Sequence, residues 1–104
     1  MSEDLEPIAC RMDALTAAER DRRGEVLKVL RGRLIATAET EDGIAFHLSG
    51  EPDVPALARE FISYESRCCP FLRFGVEEGK DSAPVVLRMG GRPGVKEFLR
   101  QAFP

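Results

Sequence analysis

Leu34-Ile35-Ala36-Thr37-Ala38-Glu39-Thr40-Glu41-Asp42-Gly43-Ile44-Ala45-Phe46-His47-Leu48 is the stretch on which the fold turns. Asp42-Gly43 between two strand-like runs is a strong short-range hairpin signal, because the tight turn that matches strand twist needs positive φ. Two strands are therefore predicted, about Leu34–Thr40 and Ile44–Leu48. Side chains alternate along a strand, so Ile44, Phe46 and Leu48 take one face and Ala45, His47 and Ser49 the other.

Downstream, Ser49-Gly50-Glu51-Pro52 links the hairpin to a helix capped near Asp53, running from Val54 or Pro55 to about Arg67. Its apolar stripe is Leu57, Phe61, Tyr64 and Cys68, flanked by Ala58 and Ile62. Pro70 disfavours helical backbone at Cys69, which ends the helix at or before Cys68. A second hairpin is predicted from Phe71–Glu77 and Pro84–Met89, joined by the polar turn Glu78–Ala83. The last helix spans Pro93 to Phe103, with Val95, Phe98, Leu99 and Ala102 inward. Leu34–Ile62 and Phe71–Phe103 thus share the order hairpin, glycine-proline linker, helix: a ββα repeat by duplication or by convergence on one unit.

Upstream, Thr16-Ala17-Ala18-Glu19 fits the capping box that opens a helix. This helix is expected to reach about Leu30, burying Val26, Leu27, Val29 and Leu30, with Gly32 as its C-terminal cap. Residues 1–14 read as an extended leader that carries Cys10 and lays Ile8, Met12 and Leu15 along the core. The order α-ββ-α-ββ-α predicts an α+β fold: a four-stranded antiparallel sheet with helices on one face. Thr37, Glu39, His47, Arg73, Glu77 and Arg88 are expected on the opposite, polar face.

At 104 residues the expectation is a single domain, residues 1–104. Hydrophobic residues at 43% and charged residues at 32% are ordinary for a globular chain and too apolar for disorder. A net charge of −3 and a pI near 5.2 exert no overall pull toward nucleic acid or anionic membrane, so neither is expected as a partner. Ser2, Glu3, Asp4 and Glu6 occupy the place where a secretory signal needs positive charge, and no apolar run approaches the roughly 20 residues of a membrane span. A cytoplasmic location is the expectation. The basic run Arg20, Arg22, Arg23, Lys28, Arg31 and Arg33 is interleaved with Glu19, Asp21 and Glu25, which reads as an exposed face of local ion pairs. Gly90-Gly91-Arg92-Pro93-Gly94 lacks the lysine and spacing of a phosphate loop and reads as a tight turn into the last helix.

The pointed chemistry lies in the cysteines. Three of them, an odd number without an export signal, indicate reduced thiols rather than a disulfide framework. Adjacent Cys68 and Cys69 suit a soft ion such as Zn(II), Hg(II), Cu(I) or As(III), and Cys10 completes a three-thiol set if the leader folds back. His47, the only imidazole, brings the inventory to three sulfurs and one nitrogen, but no spacing matches a zinc-finger pattern. The alternative is structural: Cys68 falls on the apolar stripe, where a free cysteine behaves as a small hydrophobe, leaving Cys69 partly exposed. Catalysis by Cys69 is disfavoured, since a helix C-terminus and Glu65 both oppose a thiolate there.

Cys10 ahead of Ala14-Leu15-Thr16, then Glu65-Ser66-Arg67-Cys68-Cys69-Pro70-Phe71, then Val95-Lys96-Glu97-Phe98-Leu99 together resemble a family of small bacterial proteins of unknown function. The resemblance covers nearly the whole chain and implies that Cys10, Cys68 and Cys69 belong together. The resulting expectation is a non-enzymatic, thiol-rich domain binding a soft metal or metalloid ion (Zn, Hg or As) through those three residues. The alternative is an interaction or dimerisation module that offers its open sheet face to a second copy or another protein, with the cysteines structural.

Overall fold

In the computed structural model, which describes residues 8–80 and 83–103, the chain forms three helices and one sheet. After a 3-10 turn at Met12–Ala14 come α1 (Ala17–Gly32), β1 (Leu34–Glu39), β2 (Gly43–Leu48), α2 (Val54–Cys68), β3 (Arg73–Glu77), β4 (Val85–Gly90) and α3 (Val95–Ala102). The strands are antiparallel throughout, in the order β1-β2-β4-β3. The two hairpins therefore meet at β2 and β4, each of which feeds a helix. Residues 1–7, and Asp81 and Ser82 of the second hairpin's turn, lie outside the described residues.

Register sets what faces the helices, because directly paired antiparallel residues share a face. Ile44 pairs with Met89, Phe46 with Leu87 and Leu48 with Val85, and all six are buried. Val54, Ala58 and Phe61 of α2 and Val95 and Leu99 of α3 close over them. Phe103 sets its ring edge-on to Phe46 at 5.9 Å and to Phe61 at 6.2 Å. Two glycines are demanded by geometry. A Cβ on Gly43 would lie 1.9 Å from the Met89 carbonyl oxygen, and Gly94 opens α3 at φ 100°.

Thr16 caps α1 as expected: its hydroxyl accepts from the Glu19 N–H at 3.1 Å, and Glu19 accepts from the Thr16 N–H at 2.9 Å. Gly32 ends the helix from within, and Arg33 is the cap. Asp53 makes no side-chain cap on α2, because its carboxylate accepts from Arg33 at 3.1 Å instead.

Three expectations are corrected. Thr37 and Glu39 lie on the helix-covered face, paired with Phe46 and Ile44. A register break between Leu34 and Ala36 shifts the alternation of β1 by one residue, and Glu39 accepts from Arg100 of α3 at 2.8 Å. His47, Arg73, Glu77 and Arg88 do share the open face, where Arg88 pairs with Glu77. The buried face of α2 is Val54, Ala58, Phe61, Glu65 and Cys68, with Leu57 and Tyr64 only half-buried. Finally, Arg22 and Arg23 of α1 and Arg33 just beyond it make their ion pairs far along the chain rather than locally: Arg22 bonds Glu60, Arg23 bonds Glu65 and Arg33 bonds Glu51. α1 lies alongside α2, so opposite charges meet between helices rather than along one.

Leu99→Ala removes a fully buried side chain from the seal between α3 and the sheet. We expect a loss of about 2–5 kcal/mol in urea denaturation, with the slope of the transition unchanged.

Candidate functional site

The site is built at the C-terminal end of α2. Spacing along a helix puts Phe61, Glu65 and Cys68 on one face, so the face that buries Phe61 also buries a carboxylate and a thiol. Pro70 takes the chain out of the helix at Cys69, whose backbone adopts φ −129° and ψ 67° while its N–H still donates to the Glu65 carbonyl at 2.6 Å. The Leu72 N–H then donates back to the Cys69 carbonyl at 3.0 Å, and this turn points the Cys69 side chain inward.

The leader crosses the same helix end. The Arg11 N–H donates to the Cys68 carbonyl at 2.6 Å, satisfying one of the acceptors that a helix C-terminus leaves free. Arg67 donates to the Ala14 carbonyl at 3.3 Å and to both Glu19 oxygens at 2.7 Å, tying the start of α1 to the end of α2. Arg67 thereby holds the Glu19 carboxyl down at about 2. These contacts bring Cys10 to Cys69 across 59 residues, and the two form a disulfide.

Cys68 keeps a free thiol, its sulfur 3.7 Å from that of Cys69. Glu65 lies beneath both: Oε2 is 3.4 Å from the Cys69 sulfur and Oε1 is 3.9 Å from that of Cys68. One donor atom each from Cys10, Glu65, Cys68 and Cys69 falls within 4.8 Å of the others. Arg23 reaches across from α1 to bond Glu65 Oε1, with its guanidinium 5.5 Å from the centre of the Phe61 ring. Glu65, Cys68 and Cys69 are fully buried, and Cys10 is exposed.

Burial pushes the Glu65 carboxyl up, while the hydrogen bond and charge of Arg23 pull the other way. Burial also pushes the Cys68 thiol up, and the Glu65 charge adds to that against a weaker pull from Arg23. Cys68 is thus a protonated, inaccessible thiol, the opposite of an activated nucleophile.

The three sequence-predicted residues, Cys10, Cys68 and Cys69, do come together. The expectation of three reduced thiols is corrected, because the fold-back of the leader places Cys10 and Cys69 in bonding contact. Cys69 is buried rather than partly exposed, since the turn at Pro70 directs it under the leader. His47 stands on the open face of the sheet and is not in the cluster. Reading the sequence for apolar periodicity missed Glu65 and Arg23 as parts of the site. The available signal was that Glu65 stands three residues before Cys68 and four after Phe61, in step with the buried face. A cleft of about 240 Å³ opens elsewhere, between α1, β1 and the sheet, and none of the cluster residues line it.

With that geometry in hand, the class defined is an α+β domain carrying a buried cysteine–carboxylate cluster. No protein-family model, curated protein or solved structure matches the chain.

Two outcomes follow from the buried charges. Arg23→Met strands the Glu65 carboxylate and should cost about 3 kcal/mol in chemical denaturation, whereas Arg23→Met combined with Glu65→Leu should return to within about 1 kcal/mol of the parent. Cys68 in the folded, oxidised protein should react with iodoacetamide at neutral pH on the order of a hundredfold more slowly than in urea, read by mass spectrometry. Rapid labelling would instead favour a thiol-dependent enzyme.

Proposed function

We propose that the reduced domain binds one thiophilic metal or metalloid ion through Cys10, Cys68 and Cys69, and that it acts as a binding protein rather than an enzyme. The observation that carries this reading is the convergence of three sulfurs and a carboxylate on one spot, drawn from a leader and a helix end 59 residues apart. Sulfur donors select soft or borderline ions such as Zn(II), Hg(II) and As(III). Binding requires the Cys10–Cys69 bond to be opened first, so reducing conditions are part of the proposal.

The alternative rests on the same bond. In it the Cys10–Cys69 disulfide is a clasp that holds the leader against α2, Cys68 is core, and the function lies in contacts with a partner or a second copy.

Native mass spectrometry separates the two. Reduced protein is exposed anaerobically to Zn(II), Hg(II) or As(III), beside oxidised protein and a variant with Cys10, Cys68 and Cys69 all changed to Ser. A one-to-one adduct confined to reduced wild type is expected. No adduct, or equal adducts in the variant, would return the cysteines to a structural role.

A further inference from the structure

We propose that the ion this site is built for is a trivalent metalloid, delivered as its neutral oxyacid, arsenous or antimonous acid, and held by three sulfurs. The inference rests on the thiol-site reading above and specifies its ligand.

Donor number comes first. The cluster offers three sulfurs and one carboxylate, whose charge is already answered by Arg23 at Oε1 while Oε2 faces the Cys69 sulfur. Divalent zinc almost always completes four ligands in a closed structural site. A trivalent arsenic or antimony centre takes three, its lone pair filling the remaining direction. The Cys68 and Cys69 sulfurs already stand 3.7 Å apart, and opening the disulfide lets Cys10 and Cys69 relax from a bond to van der Waals contact. All three sulfurs lie within 4.8 Å of one another, close enough to converge on one centre.

Charge is the second constraint. Glu65, Cys68 and Cys69 are fully buried, and Glu65 is neutralised by Arg23. Three thiolates around a trivalent centre make a neutral unit. Around a divalent cation they leave one negative charge buried without a partner, which is costly.

Protons supply the third. A dithiol reductant transfers two electrons and two protons to the Cys10–Cys69 bond, becoming a disulfide itself and leaving two thiols. Each of the three cysteine thiols then gives its proton to one hydroxyl of the oxyacid; three sulfur–metalloid bonds form, three metalloid–oxygen bonds break, and three waters leave. No net proton is released and no free thiolate has to persist. A divalent cation must instead expel thiol protons to the solvent. Cys10, exposed on the leader, is the sulfur a solute meets first.

The test is calorimetric titration of fully reduced protein with sodium arsenite and, separately, with zinc chloride. Each is run in two buffers of different ionisation enthalpy and at two pH values one unit apart. Expected for arsenite are one equivalent bound, no net proton release, an affinity unchanged by pH, and at least about a tenfold loss in Cys10→Ser. Zinc should weaken by about tenfold or more for the same one-unit fall in pH, one factor of ten for each proton displaced. Wild-type protein left oxidised, whose fold is intact, should bind neither. Zinc binding without arsenite binding, or arsenite binding indifferent to Cys10, would overturn the trivalent assignment while leaving a thiol site standing. Failure of both ions would overturn the thiol-site reading itself.

Discussion

A carboxylate placed on the apolar face of a helix has to be answered from outside that helix, and Glu65 is answered by Arg23. The ion pair joins α1 to α2 at the level of the last turn of α2, where Cys68 and Cys69 also turn inward. Breaking a buried pair by removing one partner is expensive, so the two helices are held in one relative position. Arg67 extends the same attachment outward, bonding Glu19 and the Ala14 carbonyl. These contacts hold Arg11 and Ala14 at the end of α2, and Cys10 is delivered to Cys69.

The sheet contributes by being indifferent to this chemistry. Its helix-covered face is filled by aliphatic and aromatic side chains from β2 and β4, and α3 seals it with Val95 and Leu99. Cys68 and Cys69 therefore sit at the end of a helix packed on the sheet, and the leader brings Cys10 to them. This placement also explains why the thiol chemistry is muted: the same packing that positions Cys68 excludes water and raises its thiol.

Redox state links the two readings of the cysteines. With Cys10 and Cys69 bonded, the leader is clasped to α2 and only Cys68 has a thiol. With them reduced, the proposed site would offer three sulfurs beside the carboxylate that Arg23 pairs. The Cys10–Cys69 bond and the proposed metalloid capture would draw on the same two sulfur atoms, so one chain could not do both at once.

Local chemistry was legible along the chain. The first hairpin signalled by Glu41-Asp42-Gly43, the Thr16 capping box, the stop imposed by Pro70 and the second hairpin each depend on residues a few positions apart, and these determined the α+β order and the antiparallel sheet. The adjacency of Cys68 and Cys69 was equally local. What depended on register or on distant contact was not legible. A one-residue irregularity in β1 moved Thr37 and Glu39 to the covered face, because strand alternation carries no memory of a bulge until the partner strand is in place. Glu65 was read only as a charge opposing a thiolate at Cys69, because nothing near it in sequence neutralises it; its partner, Arg23, lies 42 residues away. By itself the sequence determined the elements, their order and which sulfurs were available. Only the tertiary structure decided that the leader crosses the end of α2, because that contact is made by backbone groups and side chains that meet after the helices have packed.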